Sequence, residues 1–220
     1  MDYLRDQSTI VVKQKKRIAE ILLDFELNNK YEILGSQGEQ LFLAKEDSNI
    51  CSTMILGTSR GFDIHISDRF ENPFITVHRP FKCFRCGIIN ACLDQVTITH
   101  YDGMSLGQIQ EIYSPCKAQY NIFDGNNSKV FTIKAGFECC MPCQSCFGKD
   151  IRFEIIGTDE VTIIGCITKV FRGFFTEAFT DADTFKIEFP IDLDVRMKAL
   201  LIGAAFLIDF MYFEKSKNKN

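Results

Sequence analysis

Asp181-Ala182-Asp183-Thr184-Phe185-Lys186-Ile187-Glu188-Phe189-Pro190-Ile191-Asp192-Leu193-Asp194-Val195-Arg196-Met197-Lys198 leads without a break into Ala199-Leu200-Leu201-Ile202-Gly203-Ala204-Ala205-Phe206-Leu207-Ile208-Asp209-Phe210-Met211-Tyr212-Phe213. How this stretch is read decides the fold. Its first part alternates, with Phe185, Ile187 and Phe189 on one face of a short strand, Lys186 and Glu188 on the other, and Asp181-Ala182-Asp183 as the turn before it. Asp192 or Asp194 supplies an N-cap for a helix. The run from Ala199 has no polar face, so that helix must be surrounded on all sides, by lipid or by protein. At 1.5 Å per residue it covers about 22 Å, less than a hydrocarbon core of about 30 Å. Asp209 lies within it, and a carboxylate at mid-bilayer costs about 2.5 to 3.5 kcal/mol. Length and charge therefore place the helix, residues 194–213, in a protein core. A single membrane pass through 199–213 is the alternative.

Working outward, the pattern ahead of this helix has period two. Candidate strands lie at 31–34, 40–44, 62–67, 74–78, 94–100, 107–112, 118–124, 130–134, 151–156, 161–169, 171–179 and 184–189, rich in β-branched and aromatic residues. Asp102-Gly103, Asp124-Gly125 and Gly157-Thr158-Asp159-Glu160 punctuate them as turns. About twelve antiparallel strands closed into a barrel leave a lumen too wide for their own side chains to fill. An all-apolar helix is a suitable plug. Ile18, Ile21, Leu22 and Phe25, spaced by three and four, predict a helix within residues 1–28, with Lys13, Lys15, Lys16 and Arg17 just before them. The expected organisation is a helical segment over 1–28, one mainly-β barrel over 29–214 and a basic tail at 215–220. If strands alternate strictly in direction, the cysteine-rich loops share one end, and the Asp181–Asp183 turn falls at the other.

The chain has 220 residues, enough to bury a large core, with 46% hydrophobic and 25% charged residues, as in ordinary globular proteins. A net charge of −4 offers no global attraction to nucleic acid, and none is expected as a partner. There are 21 Phe and no Trp, which suits the interior of a wide β-structure. Ten cysteines occur without a secretory signal at the start, which points to a reducing compartment and to thiols, metal or acylation rather than disulfides. Most fall in two knots: Cys83-x-x-Cys86 with Cys92, and Cys139-Cys140-x-x-Cys143-x-x-Cys146. Two spaced CxxC pairs can supply a tetrahedral zinc site, drawing on Cys83, Cys86, Cys139, Cys140, Cys143 and Cys146. Free or merely buried thiols are the alternative. No Ser/His/Asp or Cys/His relay and no glycine-rich phosphate loop is visible, so catalysis is not expected.

Several segments together resemble the phospholipid scramblases. Phe25-Glu26-Leu27-Asn28-Asn29-Lys30-Tyr31-Glu32-Ile33 resembles the family's approach to its first strand, and Arg79-Pro80-Phe81-Lys82-Cys83 its R-P-(L/F)-(K/R)-C element. Cys139-Cys140 through Asp150-Ile151-Arg152-Phe153-Glu154-Ile155 is similar to its second cysteine cluster. Phe179-Thr180-Asp181-Ala182-Asp183 with Phe189-Pro190-Ile191-Asp192-Leu193-Asp194-Val195-Arg196-Met197-Lys198-Ala199 resembles its C-terminal signature. With only five prolines, the chain lacks the proline-rich tail, and hence the adaptor motif, that several members carry.

The resemblance implies a tubby-like barrel around a central helix. It also implies calcium-stimulated, ATP-independent movement of phospholipids between leaflets, at the cytoplasmic face of a membrane. Its calcium site would fall on Asp181, Asp183, Phe185, Ile187, Phe189 and Asp192, although Lys186 stands where an EF-hand loop has its turn glycine. A plain hairpin turn followed by a strand is the alternative there. Acylation, as palmitoylation, would fall on Cys86 and Cys92. A lipid-anchored interaction or regulatory module without scrambling activity is the second functional reading.

Overall fold

Alternation of inward and outward side chains organises the computed structural model, which describes residues 2–15, 29–47, 61–81, 93–114, 117–135, 150–171 and 183–213. The strands are β1 (Thr9–Lys15), β2 (Lys30–Leu34), β3 (Gln40–Asp47), β4 (Phe62–Asp68), β5 (Pro73–Arg79) and β6 (Gln95–His100), followed by β7 (Ser105–Glu111), β8 (Gln119–Asp124), β9 (Lys129–Ala135), β10 (Ile151–Ile156), β11 (Ile163–Val170) and β12 (Thr184–Glu188). Each pairs with its sequence neighbour, and β1 closes on β12 to complete a twelve-stranded antiparallel barrel. In β4, Phe62, Ile64 and Ile66 point into the lumen while Asp63 and His65 point out; in β10, Phe153 and Ile155 are buried while Arg152 and Glu154 face solvent. The wall is therefore polar outside and apolar inside, the reverse of a lipid-facing barrel. At Gly107 the backbone takes a φ of +149°, and a Cβ there would lie 2.1 Å from the Phe123 carbonyl oxygen, so β7 and β8 approach where only glycine fits.

The barrel begins earlier than the sequence pattern predicts. Residues 9–15 are not helical: β1 is a stave, with Ile10 and Val12 inward and Lys13 and Lys15 outward, and its register with β12 sets Ile10 opposite Ile187 and Val12 opposite Phe185. The β-branched Thr9-Ile10-Val11-Val12 run pairs on both edges, so the helix expected over 1–28 does not take in 9–15; the residues that carry its spacing lie in 16–28, outside the described residues. The candidate strand at 171–179 has no place in the wall, because β11 pairs directly with β12. Residues 172–182 also lie outside the described residues.

These two changes leave the strand count at twelve but reverse the geometry of the C-terminus. Tight turns join β2–β3, β4–β5, β6–β7, β8–β9 and β10–β11 at one end, the turn end; the longer connections leave from the other, the open end. Asp183 therefore lies at the open end, with the strand ends that flank both cysteine segments, not opposite them. The α-helix α1 (Val195–Ile208) starts at the turn end and runs toward the open end.

Asp194 caps α1 by accepting the Arg196 N–H, and Lys198 through Ile208 are all buried. A π-helical turn, Asp209–Phe213, continues it. Phe206 packs edge-on against Tyr31 of β2 at 5.0 Å, and Phe210 stacks on Phe62 of β4 at 4.0 Å. Gly203 faces Ile98 of β6 and Ile109 of β7, and Phe213 meets Phe185 of β12. Strands β2, β4, β6, β7 and β12 all touch the helix or its last turn, which fills the lumen. Each fully buried Leu, Ile or Phe contributes about 1.5–3 kcal/mol relative to exposure, which makes this plug a principal source of stability. Among the described residues, no helix is long and apolar enough to cross a membrane.

Candidate functional site

Among the described residues, charged side chains occupy inward positions near the two barrel mouths. At the open end they form a collar around the last turn of the plug. Lys169 follows Ile167 on the inward face of β11; its Nζ lies 2.5 Å from Asp183 Oδ1 and 3.8 Å from Asp209 Oδ1. The ammonium also faces the rings of Phe185 at 4.4 Å and Phe213 at 5.0 Å, a desolvated setting in which cation–π attraction is at its strongest. Tyr31 donates its hydroxyl to Asp209 Oδ2 at 3.2 Å. Across the mouth, Arg79 of β5 pairs with Asp94 at 2.5 Å and covers Phe62, while the Asp94 amide donates to Glu111. Gln14, Asn29 and Glu46 continue the collar as a hydrogen-bonded chain at 2.6 and 2.7 Å. Tyr120 is buried among them, and burial first, then the nearby Tyr212 and Glu111, hold its phenol well above the ordinary value, so it stays protonated.

The turn end is closed differently. Lys198 is fully buried in the first turn of α1, and its Nζ lies 2.7–3.0 Å from the carbonyl oxygens of Leu4, Arg5, Gln7 and Ile191. Burial pulls its pKa below the ordinary lysine value, and the carboxylates of Asp6 and Asp192 oppose that. The ammonium thus ties the N-terminal segment across the start of the plug. Both mouths are held by charge, and the described residues there offer binding through charge and hydrogen bonds.

The Scramblase family model matches residues 1–215. The chain belongs to the scramblase family. Phospholipid scramblase 1 of Homo sapiens is 40% identical over 216 residues, which cover 98% of this chain and 66% of that protein. Phospholipid scramblase 1 of Mus musculus is 37% identical over 219 residues, covering 100% and 65%. Phospholipid scramblase 2 of Homo sapiens is 38% identical over 217 residues, covering 99% and 71%. The chain thus spans about two thirds of the length of these relatives. No solved structure matches it.

In this scramblase-family barrel the five described residues of the six expected around calcium do not converge. Asp181 lies outside the described residues. Asp183 is engaged by Lys169 at the open end. Phe185 and Ile187 are inward core residues of β12, which is flanked by β1 and β11, so its carbonyls point into ladders on both sides. Phe189 is buried just past the strand, and Asp192 is exposed in the turn before α1, at the opposite end from Asp183. A loop that wraps an ion is thus not what these residues form, and strand alternation explains them better. Among the described residues no group of three His, Cys, Asp or Glu is placed to hold a metal. Cys83, Cys86, Cys92, Cys139, Cys140, Cys143 and Cys146 all lie outside the described residues, but the strand ends that flank both segments (Arg79 and Gln95, Ala135 and Ile151) share the open end.

The collar leaves a faint local signal in the sequence. Parity alone marks it: Arg79 is two residues after inward Val77, and Lys169 two after inward Ile167. Charged residues in phase with a hydrophobic face are the trace that finds them.

Proposed function

We propose that this protein is a phospholipid scramblase that moves phospholipids between leaflets in both directions, without ATP and with calcium stimulation, from the cytoplasmic face of a membrane. Family membership across residues 1–215 carries the reading. The geometry favours action from the bilayer surface, since the apolar helix is enclosed and the outer wall is polar. Calcium dependence rests on the family alone, because the described members of the expected calcium set do not form a site. Acylation at Cys86 or Cys92 would anchor the open end, and a zinc ion shared by the two cysteine segments is the rival use of the same thiols.

Purified full-length chain in vesicles of fluorescent phospholipid, challenged with a membrane-impermeant quencher, tests the proposal. Quenching beyond the outer-leaflet share, without ATP and faster with millimolar calcium, is the expected result. Quenching that stops at the outer leaflet would overturn it. A second reading, a lipid-anchored interaction module without scrambling activity, is favoured by one observation: the plugged lumen offers headgroups no polar track across a bilayer. Vesicle binding without lipid flip is its signature.

A further inference from the structure

Four of the five hairpins at the turn end share a device. Asp68 accepts the amide N–H groups of Phe70 at 2.8 Å and Asn72 at 2.9 Å. Asp102 accepts that of Met104 at 2.9 Å, and Asp159 those of Val161 at 3.2 Å and Thr162 at 2.9 Å. Asp124 does the same for Asn126 and Ser128. In three of these four turns the residue two places after the aspartate is a large apolar one held out into solvent: Phe70 is 65% exposed, Val161 80% and Met104 43%. Such tips are displayed by a folded turn, so little conformational freedom remains to be lost on insertion.

The tips sit on opposite sides of the rim. Phe70, Tyr101 and Met104 belong to the turns joining β4–β5 and β6–β7, and exposed Tyr101 adjoins Met104. Val161, Ile163 and Ile191 belong to the β10–β11 turn, the start of β11 and the segment after β12, half a circumference away. Tyr3 is also exposed, on the N-terminal segment that crosses the helix start. Carboxylates lie among them. Side-chain and backbone hydrogen bonds within the turns keep Asp68, Asp102 and Asp159 below the usual carboxylate range, and Lys129 does so for Glu160, so all four stay ionised. Arg69, over the Phe70 ring at 4.9 Å, adds one cation.

A second copy placed face to face on this rim would bring these carboxylates against themselves, and an anionic leaflet would be repelled by them. A neutral interface that carries quaternary ammonium groups attracts both the carboxylates and the aromatic faces. We propose that the turn end of the barrel docks on a phosphatidylcholine-rich bilayer interface, with the two sets of apolar tips in the headgroup layer and the turn carboxylates against cholinium groups. This rests on the reading that the protein acts on phospholipids; because it sets the docking face opposite the cysteine segments, it stands against an acyl anchor at Cys86 or Cys92 on the same bilayer.

Co-sedimentation of the full chain with phosphatidylcholine vesicles, and with vesicles that also hold phosphatidylserine, both without calcium, tests it. The Phe70→Ser/Tyr101→Ser/Val161→Ser/Ile191→Ser variant changes only exposed side chains and should keep the wild-type melting transition. Its partition to phosphatidylcholine vesicles should fall about tenfold or more. Phe81→Ser/Tyr113→Ser at the open end should bind as wild type, and phosphatidylserine should weaken wild-type binding. Equal partition of the four-site variant, tighter binding to the anionic vesicles, or a change in the chain's own oligomeric state instead of vesicle binding would each overturn the proposal. Flip measured on the same samples separates the two claims. A protein that flips lipid regardless of the four tips refutes the docking face alone, whereas one that binds through them and flips nothing refutes scrambling alone.

Discussion

An ammonium shut away from water by carbonyl oxygens, as Lys198 is by Leu4, Arg5, Gln7 and Ile191, leaves several buried acceptors unmatched once it is removed. Lys198→Met keeps the volume and loses the donors, so it should cost about 3 kcal/mol in denaturant unfolding and speed amide exchange near Gln7. At the open end, Lys169→Met withdraws the cation that faces Asp183 and Asp209 and should cost about 3–5 kcal/mol. Adding Asp209→Asn should recover part of that loss, and a double variant no more stable than the single would sink the pairing. The turn aspartates act through pH. Asp68, Asp102 and Asp159 titrate below the ordinary value of 3.8 in the folded chain, so the unfolded chain takes up protons first as pH falls. Their contribution is complete above that value and is lost as pH falls through the folded pKa values. Asp68→Asn/Asp102→Asn/Asp159→Asn, which can still accept the turn hydrogen bonds, should flatten the decline in stability below about pH 4. An unchanged decline would mean that other carboxylates govern acid unfolding.

Among the elements, α1 has the least room to change. A Cβ at Gly203 would lie 2.8 Å from Ile98 Cγ1 and 3.1 Å from its Cδ1, closer than packed side chains tolerate. Gly203→Leu should therefore overpack the lumen and cost about 1–3 kcal/mol by denaturant titration. Deleting residues 199–220 should abolish the cooperative melt, since it empties a barrel too wide to close on its own side chains; a truncated chain that melts cooperatively would show the helix to be dispensable. This element is legible in the sequence because a helix without a polar face, too short to span and interrupted by Asp209, has only an interior to go to. The strands are legible wherever alternation is clean: the pattern predicts 151–156 residue for residue, and 94–100 within one. β1 escapes the pattern because outward Val11 blurs its alternation and the basic residues after it suggest a helix start. The three middle members of the calcium set are ambiguous for a related reason. Phe185, Ile187 and Phe189 fit loop spacing and strand alternation equally well in the sequence, and pairing on both edges of β12 decides for the strand. Lys198 and the Leu4 carbonyl are 194 residues apart, a contact that no local pattern reveals.

Over the whole molecule, one misplaced strand reverses everything after it, because each antiparallel step swaps ends. With β11 joined directly to β12, the plug enters from the turn end and finishes at the collar, inside a wall whose outer face is polar. Two modes of membrane association compete on this frame. The barrel can rest on the surface with its plug in place, or the plug can leave the lumen and enter lipid. Expulsion would expose the inward residues of all twelve strands and strip the helix of its packing. It would also break the contacts of Lys198 and Lys169 and carry Asp209 into hydrocarbon at about 2.5 to 3.5 kcal/mol. The helix would return little, since 14 residues span about 21 Å, short of a bilayer core of about 30 Å. The plug should therefore stay where it is. Hydrogen exchange of the amides from Ala199 to Ile208 should be as slow on phosphatidylcholine vesicles as in free solution, while the exposed hairpin turns at Phe70 and Val161 slow down on binding. Fast labelling of β6 and β7 on vesicles, where Ile98 and Ile109 now cover Gly203, would mean that the lumen had opened and that the helix itself is the membrane anchor.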